Sequence, residues 1–146
     1  MSVLIALPKG RLLKEVQNLF KKIDIEFDTD SRKLIIDTSQ KWLKVAILRT
    51  WDIPKFVNYG AADIGVVGSD VLDELDFEDV YQPLDLGIGL CKLSVAAAEI
   101  EMYKSMLASD LPITIATKYP KQTLEHFCKK GKNVNLVKLY LSLIHI

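Results

Sequence analysis

The sequence predicts an α/β protein of two small lobes built largely on parallel strands. Short, largely apolar runs recur, unbroken in Val3–Leu7 and interrupted only by a charge or glycine in Leu43–Leu48 and Asp63–Val67, the mark of buried strands. Between them lie helical stretches joined by turns of a few residues, which implies right-handed crossovers between parallel strands. After Asp76 the pattern changes to extended segments around Pro83, Gly87 and Gly89, and a second strand–helix–strand run follows. This change divides the chain into a first lobe over 1–86 and a second over 87–146.

Val3–Leu7 ends at Pro8-Lys-Gly-Arg11. Leu12, Leu13, Val16, Leu19, Phe20 and Ile23 then fall at the 3.6-residue period, with Lys14, Glu15, Asn18, Lys21 and Lys22 on the other face. Asp28–Ser31 signals a turn and Lys33–Asp37 a short strand. Leu43–Leu48 is the next buried strand, with Arg49-Thr50 at its carboxyl end. Asp52 is placed to cap a helix that carries Pro54 in its first turn and stops at Gly60. Asp63–Val67 follows as a strand, then the turn Gly68-Ser69-Asp70 and a helix over Val71–Leu75. Val80–Leu86 and Leu90–Ala98 read as extended, Glu99–Leu107 as a helix, Ile113–Thr117 as a strand, Pro120–Lys130 as a helix stopped by Gly131, and Val134–Tyr140 as a strand.

Composition removes several classes of function. The 146 residues carry 19 Lys+Arg against 19 Asp+Glu, so no excess positive charge exists to neutralise a nucleic-acid backbone. No apolar run approaches the ~20 residues of a membrane span. Met1-Ser2 leads directly into a strand without a basic segment, so no secretory signal is expected. Cys91 and Cys128 suggest neither a disulfide framework nor a zinc site, which fits a cytoplasmic protein. Both sit among apolar residues and read as core thiols. His126 and His145 have no partners at ligand spacing and read as structural or exposed, and Trp42 and Trp51 as core or edge aromatics.

Open α/β sheets gather ligands outside the carboxyl ends of their strands. Lys9-Gly10-Arg11, Arg49-Thr50, Gly68-Ser69-Asp70 and Lys118-Tyr119 all fall there, and three of the four segments carry a cation. Gly10 and Gly68 let backbone N–H groups approach a ligand, and the following helix N-termini favour anions. The layout suits a phosphorylated small molecule. On spacing alone, Lys9-Gly10-Arg11 is equally a solvated basic turn, Arg49 an ion-pair partner of Asp52, Asp70 a helix cap and Arg32 an exposed turn residue. Neither the Walker nor the Rossmann glycine pattern is present.

A set of longer segments adds to this reading: Leu7-Pro-Lys-Gly-Arg-Leu12, Ser31-Arg-Lys-Leu34, Leu48-Arg-Thr-Trp-Asp-Ile-Pro54, Gly60–Leu72, Leu84–Leu93 and Ile115-Ala-Thr-Lys-Tyr119. In this order they resemble the catalytic subunit of the ATP phosphoribosyltransferase family, in its short form. The resemblance implies a two-lobed fold like that of periplasmic binding proteins. It also implies transfer of the 5-phosphoribosyl group of 5-phosphoribosyl 1-pyrophosphate (PRPP) to N1 of ATP, with Mg²⁺-assisted loss of pyrophosphate. Arg11 and Arg32 take the catalytic positions beside the pyrophosphate. Lys9 and Gly10 fall with the phosphate contacts, and Arg49 and Asp70 in motifs around the substrates. No protein ligand for the metal is implied. The partners implied are a second catalytic subunit and a regulatory subunit resembling histidyl-tRNA synthetase. Beyond Tyr140 the likeness stops: Leu141–Ile146 does not continue the family pattern, so the second lobe reads as incomplete and the chain as an inactive fragment. The competing reading is a non-catalytic module of the same fold class that binds a small anion or solute.

Overall fold

The computed structural model describes residues 2–29 and 33–140. Arg32 with its neighbour Ser31, the tail 141–146 and His145 within it lie outside the described residues. The chain divides after Cys91 into two compact units.

The first unit runs β1 (Val3–Pro8), α1 (Arg11–Lys21), β2 (Ile35–Asp37), β3 (Leu43–Leu48), α2 (Ile53–Asn58), β4 (Ile64–Gly65) and α3 (Ser69–Leu75). Its sheet has the order β2-β3-β1-β4. β1 pairs in parallel with both β3 and β4, and β2 closes one edge antiparallel to β3. Alternation along β1 and β3 sends side chains to opposite faces, and each face has its own helix. Leu7 and Val45 pack with Val16 of α1, while Ala6, Ala46 and Leu48 pack with Ile53 of α2. The two crossovers thus lie on opposite faces, and β1, paired on both flanks, is the centre of the core.

Turn chemistry closes the elements. Gly60, at φ +69°, ends α2 and donates its N–H to the Val57 carbonyl at 3.0 Å. Asp63 then ties β4 to β1 twice. Its Oδ2 accepts the Leu4 N–H at 2.7 Å, and its own N–H donates to the Leu4 carbonyl at 3.0 Å.

Local differences from the sequence reading have physical causes. α1 stops at Lys21 and the chain turns through Asp24 at φ 55°, so Ile23 is left exposed and Ile25 enters the core instead. Asp52 stands at the N-cap of α2 but is in the α conformation and makes no side-chain cap. α3 begins at Ser69 rather than Val71. Val80–Leu86 and Leu90–Ala98 form no ladder, because among the described residues no strand lies beside them to satisfy their backbone groups. Tyr81 and Leu90 are accordingly 86% and 88% exposed. Cys91 and Cys128 are both exposed, not core thiols. Cys91 lies in that unpaired stretch, and Cys128 ends its helix away from the buried face that carries Thr123 and Phe127.

Residues 87–91 stay with the first unit, beyond the expected division at 86, because Gly89 and Ile88 are held against it. The Gly89 N–H donates to Glu15 Oε2 at 2.8 Å, and Ile88 packs on the cluster around Leu7 and Val16.

The second unit holds α4 (Ile100–Ala108), β5 (Ile113–Thr117), α5 (Pro120–Cys128) and β6 (Val134–Lys138). β5 and β6 pair in parallel, Ile113 opposite Val134. Gly131, at φ +66°, ends the crossover helix. A small polar network joins β5 to α5. Thr117 Oγ1 accepts the Tyr119 N–H at 3.0 Å and shares a hydrogen bond of 3.0 Å with the Thr123 hydroxyl, which also reaches the Tyr119 carbonyl at 2.7 Å. Thr123 is buried, so its hydroxyl has no water to fall back on. Thr123→Val is expected to lower the stability of the second unit by about 1–2 kcal/mol, because it strands Thr117 and Tyr119 groups. Thr123→Ser should retain most of it. Chemical denaturation followed by far-UV circular dichroism checks this, and equal losses in both variants would assign the effect to packing instead.

Candidate functional site

The register of β1 against β3 decides what gathers at the carboxyl edge of the first sheet. Pro8 lies opposite Leu48, so Lys9-Gly10-Arg11 and Arg49-Thr50 leave neighbouring strands side by side. The ladder runs one residue further, with the Lys9 N–H donating to the Leu48 carbonyl at 3.2 Å. On the other flank of β1, β4 leads into Gly68-Ser69-Asp70. The chain leaves β1 for β3 on one side and returns across it to β4 on the other. This is the reversal of strand order at which open α/β sheets bind ligands.

The groups at this edge suit an anion. Gly10 is the N-cap of α1 at φ +83°, a conformation that favours glycine, and no side chain caps the helix. The first turn carries no acidic residue, so the positive end of the helix is not neutralised there. Arg11 is the first helical residue, and its side chain is 77% exposed. Lys9 and Arg49 are exposed as well. The link between Arg49 and Asp52 is made by backbone, the Asp52 N–H donating to the Arg49 carbonyl at 2.9 Å. Asp70 sits in the first turn of α3 with its carboxylate folded over Gly68, where any Cβ at position 68 would run into it.

The structure therefore brings together Lys9, Gly10, Arg11, Arg49 and the Gly68–Asp70 turn. Lys118-Tyr119 belongs to the second unit, at the carboxyl end of β5, where Tyr119 precedes α5. A hollow of ≈ 530 Å³ in the first unit has mainly apolar walls. It touches Leu12, Gly68, Ser69 and Asp70, but Lys9, Arg11 and Arg49 do not line it. Its other walls include Asp63, Ile64 and Tyr81, none of them singled out by the sequence. A second omission is Glu15, which lies 3.6 Å from Arg11 and holds the Gly89 amide. The Arg–Glu spacing of four along a helix was the available signal for the first contact. Among the described residues, no group of three or more His, Cys, Asp and Glu could hold a metal ion, and no helix is long and apolar enough to cross a membrane.

The chain is similar to known proteins over nearly its whole length. The family model described as ATP phosphoribosyltransferase matches residues 49–143. An ATP phosphoribosyltransferase of Citrifermentans bemidjiense is 42% identical over 144 residues, which is 97% of this chain and 68% of that protein. One from Chromobacterium violaceum is 44% identical over 146 residues, covering 98% and 68%. Among solved structures, an ATP phosphoribosyl transferase (HisG:HisZ) complex from Thermotoga maritima is similar with a TM-score of 0.62 and 25% identity, covering 97% of this chain and 66% of that one. The chain thus spans about two thirds of the length of these relatives. It belongs to the ATP phosphoribosyltransferase family, the transferases of the first step of histidine biosynthesis.

Proposed function

We propose that the carboxyl edge of the first sheet holds the pyrophosphate of PRPP while its phosphoribosyl group passes to N1 of ATP. The observation that carries this is the β1–β3 register, which sets the Lys9-Gly10-Arg11 turn beside Arg49. In the reaction the adenine N1 forms a bond to ribose C1. The bond from C1 to the pyrophosphate oxygen breaks, and its electron pair leaves with pyrophosphate. Negative charge grows on the leaving group, and fixed cations aimed at it lower the barrier. Arg11 offers a planar fork of N–H donors to phosphate oxygens, Lys9 a point charge, and Gly10 an open helix N-terminus. Arg32 is assigned to the same leaving group through its family motif, and Arg49 and Asp70 to substrate contacts.

The three edge segments of the first unit present cations and N–H donors, with Asp70 their single carboxylate, so Mg²⁺ there would be held chiefly by substrate phosphates and water. Mg²⁺ carried on the substrate phosphates would supply positive charge to the leaving group, with no residue of these segments assigned as its ligand. The two-lobed, periplasmic-binding-protein-like reading of the fold accompanies this proposal, as does a cytoplasmic setting. Pairing of catalytic subunits also belongs to it. A regulatory partner akin to HisZ is supported by the Thermotoga maritima complex, in which HisG is assembled with HisZ.

The test is binding of inorganic pyrophosphate by titration calorimetry, together with transfer assayed from ATP, PRPP and Mg²⁺. Arg11→Ala is expected to weaken pyrophosphate binding about ten- to a hundredfold, since a charge-assisted hydrogen bond is worth about 1.5–3 kcal/mol. Unchanged affinity in a folded Arg11→Ala variant would overturn the assignment.

A further inference from the structure

We infer that Glu15 is a positioning residue for Arg11, and that it does this while clamped to the backbone at Gly89. The inference rests on the assignment of Arg11 to the pyrophosphate. Glu15 lies one helical turn beyond Arg11, and its two carboxylate oxygens do different work. Oε1 stands 3.6 Å from Arg11 Nε. Oε2 accepts the Gly89 N–H at 2.8 Å, across 74 residues of sequence.

The atom contacted on Arg11 matters. A guanidinium has one Nε–H along its stem and four N–H groups at its terminal fork. A carboxylate beside Nε turns the guanidinium plane while leaving that fork open for a bidentate phosphate contact. An isolated pair on an exposed helix face would wander among rotamers, and such pairs add little to stability. Glu15 differs because its second oxygen is fixed. The Gly89 backbone is itself held close: it adopts φ +64°, and a Cβ there would lie 2.8 Å from Leu12 Cδ1. Gly89 therefore lies close to α1 in a left-handed backbone conformation that favours glycine, and its amide is within reach of the carboxylate. Leu12, Glu15 and Gly89 together form a clamp whose free end faces Arg11.

A purely structural role for Glu15 would stabilise the chain and leave ligand affinity untouched. A positioning role predicts coupling to Arg11. The experiment measures affinity for inorganic pyrophosphate by calorimetry on the full chain in four forms: unchanged, Glu15→Ala, Arg11→Ala and the double variant. Glu15→Ala is expected to weaken binding about three- to tenfold in the unchanged background and to have no effect once Arg11 is alanine. Glu15→Gln, which keeps an acceptor for Gly89 but loses the charge facing Arg11, should fall between the unchanged chain and Glu15→Ala. Melting curves on each variant report folding, and the Gln variant keeps the test valid where the alanine form is destabilised. Equal or tighter binding in Glu15→Ala, or the same loss with and without Arg11, overturns the inference while leaving Arg11 in its role. Unchanged affinity in Arg11→Ala instead overturns the assignment of Arg11, and with it the need for a positioning residue.

Discussion

Leu7→Ala is expected to destabilise the first unit by about 3 kcal/mol, within the 2–5 kcal/mol typical of leucine truncations in closed cores. Leu7 is fully buried in the central strand. It packs with Val45 of the neighbouring strand and Val16 of α1. β1 is hydrogen-bonded on both flanks, so the backbone cannot move inward to fill the space left by the side chain. The loss therefore includes the cavity as well as the transfer of the missing carbons. Both tryptophans, Trp42 and Trp51, belong to the first unit, so tryptophan fluorescence in a urea titration reports that unit alone. A loss below about 1 kcal/mol would mean that this face of the sheet is not a closed core. The site would feel the change too, because Leu7 lies two residues before Lys9, the first residue past the end of β1.

The elements legible in the sequence are those whose signal is local. β1 is a continuous apolar run, β3 is apolar but for Lys44, and α1 has a clean helical period, so their existence and order could be read directly. The parallel pairing followed from the short crossovers. The candidate edge was legible for the same reason: once the strands are known, their carboxyl ends are known, and Lys9, Gly10, Arg11, Arg49 and Asp70 fall there. The exact boundaries were less legible, as at Ile23, where the apolar period continues past a helix that a left-handed Asp24 has already ended. The segments at 80–86 and 90–98 look like strands by composition, but a strand is made by its neighbour, and composition does not say whether one is present. The exposure of Cys91 was lost with the same error. Glu15 escaped notice because half of its role is a contact with Gly89, far away in sequence and invisible to any periodicity.

Gly65 escaped in the same way, and it carries the second large effect. Gly65→Val is expected to cost the first unit about 3 kcal/mol, near the upper end for overpacked cores. Read as sequence, Gly65 is one residue of an apolar strand. In the fold it is the point where α2 meets β4. A Cβ placed there would lie 2.6 Å from Ile53 Cγ2 and 3.0 Å from Val57 Cγ2. Neither neighbour can give way cheaply. Both are β-branched residues in a helix, where one χ1 rotamer strongly dominates, and Ile53 is fully buried. The collision must therefore push α2 off the sheet or break the short pairing of Ala6 with Gly65. Gly65→Ala should show a smaller loss in the same direction, since it adds the first clashing carbon without the branches. The two variants form a graded series in a urea titration read by tryptophan fluorescence. Because β4 leads directly into Gly68-Ser69-Asp70, the folded fraction of Gly65→Ala should also show a displaced turn, visible as shifted amide resonances at Gly68 and Ser69. A fully stable Gly65→Val variant would show that α2 does not pack this closely on β4, and would remove the support that the helix gives to that side of the edge.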